Sequence, residues 1–179
     1  HPHLASDRRL ADRLRIEAQA MARLAHPNVA KVTDFWTAED GSPSFIMELL
    51  SGENLADHLL ERQRLSANEV VAIGCQCMAA LVAAHEIGIV HRDIKPENLF
   101  MHQPASGEAV LKVLDFGVAR VVADCSALTP DRLVKSTRTG IRIGSPRFMS
   151  PEGLKGDRVD HRADIYSVGL TLYVCLVGN

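Results

Sequence analysis

Two short loops carry side chains that could act together in catalysis. The first reads His-Arg-Asp-Ile-Lys-Pro-Glu-Asn over residues 91–98, and the second reads Asp-Phe-Gly over residues 115–117. Together they supply two carboxylates, a carboxamide and an ammonium: Asp93, Asp115, Asn98 and Lys95. Carboxylate and amide oxygens can hold a hard metal ion, an ammonium can steady a phosphate, and a carboxylate can orient a hydroxyl. The two loops therefore predict a single site.

Apolar, strand-like segments flank both loops. Ile89 and Val90 lead into the first loop, and Leu111–Leu114 leads into the second. Strands are expected on both sides of a turn signal at residues 40–43, as a hairpin, and again between the two loops. The expected strands are Val29–Trp36, Ser44–Leu49, Leu99–Met101 and Val110–Val113.

Helical patterns account for most of the remaining chain. Apolar residues recur at three- and four-residue spacing over Leu4–Leu24, and the His-Pro-Asn of residues 26–28 ends that pattern. Ser66 and Glu69 form a capping box, which predicts the start of a long helix reaching about Glu86. The other expected elements are helices over Asn54–Glu61 and Asp164–Val177 and a long loop over Ala119–Ile143.

Composition indicates an ordinary globular protein. Hydrophobic residues make up 46% of the 179 residues, charged residues make up 23%, and the formal net charge is -2. This content is sufficient for one apolar core, and a near-neutral chain does not favour nucleic acid as a partner.

The four cysteines lack metal-ligand spacing, so reduced thiols in a cytoplasmic protein are expected. The apolar runs Val70–Ala84 and Ile165–Val177 are shorter than the roughly 18–20 residues of a spanning helix, which predicts core helices and no membrane segment.

The two loops and the order of elements resemble the catalytic domain of eukaryotic-type (Hanks-type) protein serine/threonine kinases, in the style of bacterial members. The resemblance implies an α+β, protein-kinase-like two-lobed fold. Residues 1–50 would be a remnant of the small lobe, with its helix αC, two strands and the hinge. Residues 51–179 would be a partial large lobe that ends at helix αF. On this interpretation the small lobe lacks its first three strands.

The resemblance also implies ATP and Mg²⁺ as cofactors. Asp93 would accept or orient the attacking hydroxyl, and Lys95 would steady the transferred phosphate. Asn98 and Asp115 would bind magnesium. The implied nucleotide-binding residues are Met47, Glu48, Leu50, Lys95, Glu97, Asn98, Leu99 and Asp115. Of these, Met47 would border the adenine pocket, Leu99 would lie under the base, and the backbones of Glu48 and Leu50 would hydrogen-bond it.

A further set of residues would position or regulate the site. Glu17 would pair with a phosphate-anchoring lysine, while His91 and Phe116 would stack between the lobes. Asp164 would hold the backbone of the catalytic loop. The activation segment and its partners would supply the rest: Arg92, Thr137, Thr139, Ser145 and Glu152. Of these, Glu152 would make a stabilising salt bridge to an arginine later in the chain. A phosphate on Thr137 or Thr139 could pair with Arg92, which predicts self-phosphorylation in this segment.

Phosphoryl transfer to Ser/Thr hydroxyls of protein substrates is thus the expected function. The chain contains no Gly-x-Gly-x-x-Gly before Glu17, so we expect a fragment that is inactive alone, with activity in a parent enzyme. One alternative is an inactive pseudokinase or scaffold fragment that binds partners, although Asp93, Asn98 and Asp115 are intact. Another is a small-molecule phosphotransferase of the aminoglycoside type, which would lack the Lys-Pro-Glu-Asn run.

Overall fold

The structure is a computed structural model that describes residues 24–37, 43–105, 107–116 and 146–178. The helix expected over Leu4–Leu24 lies almost wholly outside these residues, and the long loop expected over Ala119–Ile143 lies entirely outside them. The same holds for four of the expected functional residues: Glu17, Thr137, Thr139 and Ser145. Within the described part of the chain, the expected order of strands and helices is found, with shifts of a few residues at the element ends.

A two-stranded hairpin precedes the larger part of the fold. Strand β1 covers Val32–Thr37 and strand β2 covers Pro43–Met47. They pair antiparallel from Val32 opposite Met47, with a register shift between Val32 and Asp34. β1 begins three residues later than expected because Val29 makes an isolated parallel bridge to Val113 instead. The hairpin is thereby tied to the strand that leads into the Asp-Phe-Gly loop.

A three-stranded antiparallel sheet follows, in the spatial order β3-β4-β5. β3 is Gly52–Asn54, β4 is Leu99–His102 and β5 is Val110–Val113. The short strand β3 was not expected from the sequence. Gly52 begins it at φ +124°, a backbone conformation that glycine adopts readily. Asn54 then caps helix α1, Leu55–Arg62, by accepting a hydrogen bond from the Asp57 amide.

The long helix α2, Ala67–Glu86, starts at the expected capping box. The hydroxyl of Ser66 accepts from the amide of Glu69, and the Glu69 carboxylate accepts from the amide of Ser66. The side-chain and backbone hydrogen bonds from Ser66 and the bond from Arg62 lower the pKa of Glu69 to about 2. At 20 residues α2 is longer than the apolar run, so by length and composition alone it could cross a membrane. Its buried residues, including Val70, instead belong to the protein core.

Helices α3, Pro151–Lys155, and α4, Arg162–Val177, complete the described fold. α3 was not expected, although its signals are local: Ser150 caps it, Pro151 opens it and Gly156 closes it at φ +77°. α4 packs against α2, where a β-carbon on Gly74 would lie 3.0 Å from Leu172 Cδ1. The absence of a side chain at residue 74 thus sets how closely the two helices approach.

Candidate active site

Asp164, in the first turn of α4, anchors the residue 91–98 loop. Its side chain is completely buried. One carboxylate oxygen accepts the backbone N–H of Arg92 at 2.7 Å. The other accepts the backbone N–H of His91 at 2.9 Å and Nε2–H of His85 at 2.7 Å. A buried carboxylate is tolerated when its lone pairs are satisfied in this way, and the loop backbone is held in place by the same bonds.

His91 joins this loop to the segment that carries Asp115. Its Nδ1 accepts the backbone N–H of Asp93 at 3.2 Å, so its Nε2 carries the proton and donates to the Leu114 carbonyl at 2.8 Å. The imidazole also packs on Phe116, with ring centroids 4.7 Å apart. Complete burial lowers the pKa of His91 in spite of the neighbouring charge of Asp164. The ring is therefore a neutral bridge between the two loops.

The side chains of Asp93, Lys95 and Asn98 converge on one carboxylate oxygen. Asp93 Oδ2 accepts from Lys95 Nζ at 2.8 Å and from Asn98 Nδ2 at 3.0 Å. Asn98 Nδ2 also donates to the Asp93 carbonyl at 2.7 Å. No described residue donates to Asp93 Oδ1, which leaves this atom for a hydroxyl. Lys95 has three N–H donors, so it can hold Asp93 and a phosphate oxygen at once.

Asp115 is placed beside Asn98 by the main chain. The Leu114 amide donates to the Asn98 carbonyl at 2.9 Å, while the Leu114 carbonyl accepts from His91. Asp115 itself is exposed and has a φ of +53°, and Arg92 has a φ of +68°. Left-handed backbone is unusual for residues other than glycine and often marks functional positions. Arg92 lies in the residue 91–98 loop and Asp115 in the Asp-Phe-Gly loop, the two loops predicted to form the site.

The donor set fits a magnesium ion. Both N–H groups of the Asn98 amide are aimed at Asp93, so its oxygen Oδ1 remains for a metal. Asp115 supplies an exposed carboxylate, and the residue before it, Leu114, is hydrogen-bonded to the Asn98 carbonyl. The described residues contain no group of three or more His, Cys, Asp or Glu side chains able to hold a metal without other ligands. Two protein oxygens completed by phosphate and water are the usual arrangement for magnesium.

The expected nucleotide-binding segment has one paired and one unpaired backbone amide among the described residues. The Glu48 amide donates to the Lys31 carbonyl at 2.9 Å, whereas no described residue pairs with the Leu50 amide. Met47 is 41% exposed, whereas Leu99 is buried in strand β4, opposite Val113. Glu97 is exposed in a 3-10 turn over Pro96–Asn98. These positions are compatible with the expected roles, which stay predictions.

Two expected regulatory residues, Arg92 and Glu152, make no ion pair within the part of the chain that the structure describes. Arg92 is exposed, and Glu152 is partly buried in the first turn of α3. Arg162 pairs with Asp160 at 2.9 Å, and the charge of Glu152 adds a smaller contribution to the raised pKa of Arg162. The salt bridge expected for Glu152 and the phosphate pairing expected for Arg92 both stay predictions.

Three supporting residues were missed by sequence reasoning. His85, in the long helix α2, donates to Asp164. Gln76 Oε1 accepts from the Leu111 amide at 2.9 Å and from Asn28 Nδ2 at 2.9 Å. Lys112 pairs with Glu48 at 2.8 Å. No local signal marks these contacts, since the partners are separated by dozens of residues along the chain.

Comparison with known proteins places this geometry in a family. The family model described as protein kinase domain matches residues 3–179. The serine/threonine-protein kinase pkn3 of Myxococcus xanthus is 40% identical over 175 residues, covering 98% of this chain and 31% of that protein. PknL of Mycobacterium tuberculosis is 37% identical over 176 residues, covering 98% of this chain and 40% of that protein. The chain thus spans well under half the length of these curated relatives.

Solved structures agree with the α+β kinase fold. The crystal structure of the Mycobacterium tuberculosis PknI kinase domain superposes with a TM-score of 0.73 and 28% sequence identity. The match covers 98% of this chain and 60% of that one. The double mutant of the same domain gives a TM-score of 0.72. This chain belongs to the protein kinase domain family.

Proposed function

We propose that the natural protein containing this chain transfers the γ-phosphate of ATP to serine or threonine hydroxyls of protein substrates. The observation that carries the proposal is the orientation of Asn98. Its amide nitrogen donates to Asp93, which holds the expected base in place and leaves the amide oxygen without a described partner, as a metal ligand requires. Phosphoryl transfer depends chiefly on such positioning and on neutralisation of phosphate charge.

Four residues of the site have distinct roles in the proposed phosphate transfer. Asp93 Oδ1 accepts a hydrogen bond from the substrate hydroxyl and aligns its oxygen with the γ-phosphorus, taking up the proton as the new P–O bond forms. Lys95 donates to an oxygen of the moving phosphate and offsets its charge. ADP leaves with the electron pair of the bond that breaks. Asn98 and Asp115 would hold magnesium, which supplies charge neutralisation at the phosphates when bound.

Preference for Ser/Thr is supported by two lines of argument. Lys95 follows Asp93 at the spacing typical of Ser/Thr-directed members of the family, and the relatives above are named serine/threonine-protein kinases. We further propose self-phosphorylation at Thr137 or Thr139. The accessible guanidinium of Arg92 supports this, because a phosphothreonine can form charge-assisted hydrogen bonds with it.

The experiment is a phosphate-transfer assay with γ-labelled ATP, magnesium and a mixed Ser/Thr/Tyr peptide pool, using the full-length natural protein. We expect label on Ser/Thr peptides, with Asp93→Asn lowering kcat by about 10²-fold or more. Asp157→Asn is the matched control, because Asp157 is exposed and its side chain has no described partner. Label on tyrosine alone, or equal rates in Asp93→Asn and the control, would refute the proposal.

A scaffold protein without catalysis is the second candidate. The intact Asp93, Asn98 and Asp115 are the observation against it, because a binding-only protein has no need of this hydrogen-bonded set. The same assay separates the two functions. No transfer by a folded protein that still binds nucleotide would favour the scaffold.

A further inference from the structure

The carboxylate of Glu48 ties three segments of the site together. Its Oε1 accepts the backbone N–H of Lys31 at 2.8 Å and the ammonium of Lys112 at 2.8 Å. The amide of Glu48 also donates to the Lys31 carbonyl at 2.9 Å. Residue 48 is therefore bound to residue 31 through both main chain and side chain, and to strand β5 through Lys112.

The pair is sheltered from solvent. The side chains of Lys112 and Glu48 are 13% and 28% exposed. Partial burial works to raise the pKa of the Glu48 carboxyl, but the hydrogen bonds from Lys112 and Lys31 outweigh it, so the pKa lies below its ordinary value. Salt screens the attraction between two partly buried charges less than that between two surface charges. Removal of one partner leaves the other charge partly buried and unpaired, which is unfavourable.

Strand β5 is itself fixed to the residues just before β1. The Val113 amide donates to the Asn28 carbonyl at 2.8 Å, and the Ala30 amide donates to the Val113 carbonyl at 3.0 Å. β5 runs directly into Leu114 and Asp115. Lys112 thus connects the segment expected to bind the base with the strand that presents the expected metal ligand.

We propose that Lys112 is a positioning residue for the nucleotide: through Glu48 it holds the main chain of residues 48–50 in the orientation that binds the purine base. This inference rests on the proposed function and adds a residue to it. Without Lys112 the Glu48 carboxylate turns to water, and the bond to the Lys31 amide weakens with it. Residues 48–50 then have to be ordered when nucleotide binds, which lowers affinity. The groups of the chemical step, such as Asp93, keep their own contacts.

The test measures KM for ATP, kcat and KM for the peptide in the full-length natural protein, together with the Kd of magnesium ADP by calorimetry. Lys112→Met should raise the ATP KM and the ADP Kd about five- to tenfold, the net effect of losing one ordinary hydrogen bond. We expect kcat to change less than about twofold, with the peptide KM unchanged. Lys112→Arg should restore most of the affinity, because its guanidinium can still pair with Glu48.

A double-mutant cycle completes the test. Glu48→Gln should weaken ADP binding alone, yet add little to Lys112→Met, because both changes remove the same contact. Lys155→Met, at an exposed position on α3, is the control for loss of one positive charge. Unchanged ADP affinity in Lys112→Met, an equal effect in the control, or a rise in kcat would overturn the inference. An inactive wild type that binds ADP normally would instead contradict the proposed function.

Discussion

The side-chain amide of Asn98 donates two hydrogen bonds to Asp93, at 2.7 Å to its carbonyl and at 3.0 Å to its carboxylate. This relationship couples the expected base to the expected metal ligand. Neither group can turn without breaking a bond to the other. The loop is thus organised before any substrate arrives, and preorganisation of this kind is a main source of catalytic rate.

The first prediction concerns this pair. In Asn98→Asp the new carboxylate cannot donate to Asp93 and repels it, so kcat should fall by about 10²-fold or more. Steady-state kinetics at saturating ATP and peptide measure the effect. Asn68→Asp, at an exposed position on α2, is the matched control and should retain normal kcat. A kcat within twofold of wild type in Asn98→Asp would show that the amide is not needed.

The second prediction concerns the anchor of the loop. Asp164→Ala leaves the amides of His91 and Arg92 and the imidazole N–H of His85 without their acceptor. We expect a loss of about 3 kcal/mol or more in the free energy of unfolding, measured by urea denaturation, because the Asp164 site is fully buried. Asp157→Ala should unfold as wild type does. An unchanged midpoint in Asp164→Ala would mean that the loop is held by other contacts.

The third prediction concerns pH. Burial lowers the pKa of His91 below its ordinary 6.5, so at mildly acidic pH the unfolded chain binds a proton that the folded chain does not. Stability from this residue is present above about pH 6.5 and is lost as the pH falls, at up to about 1.4 kcal/mol per pH unit. His91→Phe removes the titration while keeping a ring against Phe116.

Urea denaturation at a series of pH values from 7 to 5 measures this difference. The free energy of unfolding of wild type should fall more steeply with acid than that of His91→Phe. The other titratable groups contribute the same pH dependence to the free energy of unfolding of both proteins, so their contribution cancels in the difference. Parallel curves would mean that His91 takes up its proton equally in the folded and unfolded states.

The fourth prediction concerns thiol reactivity. Burial, together with the negative charge of Asp164, raises the pKa of Cys77 to about 12, and burial raises that of Cys175 to about 11. Cys75 lies on α2, as Cys77 does, but it is exposed. A maleimide added at neutral pH should therefore modify Cys75 and should not modify Cys77 or Cys175 until urea is present, as read by peptide mass spectrometry. Rapid native labelling of Cys77 would contradict the packing of α2 described above.

Local chemistry explains which parts of the fold could be predicted from the sequence. The capping box of Ser66 and Glu69 depends on residues three apart, so the start of α2 was predicted correctly. The exposure of Cys75 and the burial of Cys77 follow from helix geometry, because residues two apart on a helix point to different faces. The helix α3 was overlooked although Ser150, Pro151 and Gly156 mark its two ends.

The remaining features depend on contacts between distant segments. The expected role of Asp164 came from family resemblance. In the structure its carboxylate accepts the amides of His91 and Arg92, and its bond to His85 has no signal in the sequence. The same is true of the Lys112–Glu48 pair, since either residue alone has the pattern of an exposed charge. The left-handed backbone at Asp115 could not be predicted either, because glycine is the one residue type for which that conformation is common enough to be expected from sequence.

The proposed function requires Asp115 and Asn98 to hold the metal for phosphate transfer, and Asp115→Asn removes the charged member of this pair. Asparagine tolerates the left-handed backbone at φ +53° and keeps the shape of the side chain, so the charge is the main change. The measurement is the rate of γ-phosphate transfer by the full-length natural protein across a magnesium titration, with Asp157→Asn as control. We expect only background rates in Asp115→Asn at every magnesium concentration, and a wild-type rate in the control. A wild-type rate and a wild-type magnesium dependence in Asp115→Asn would contradict this expectation.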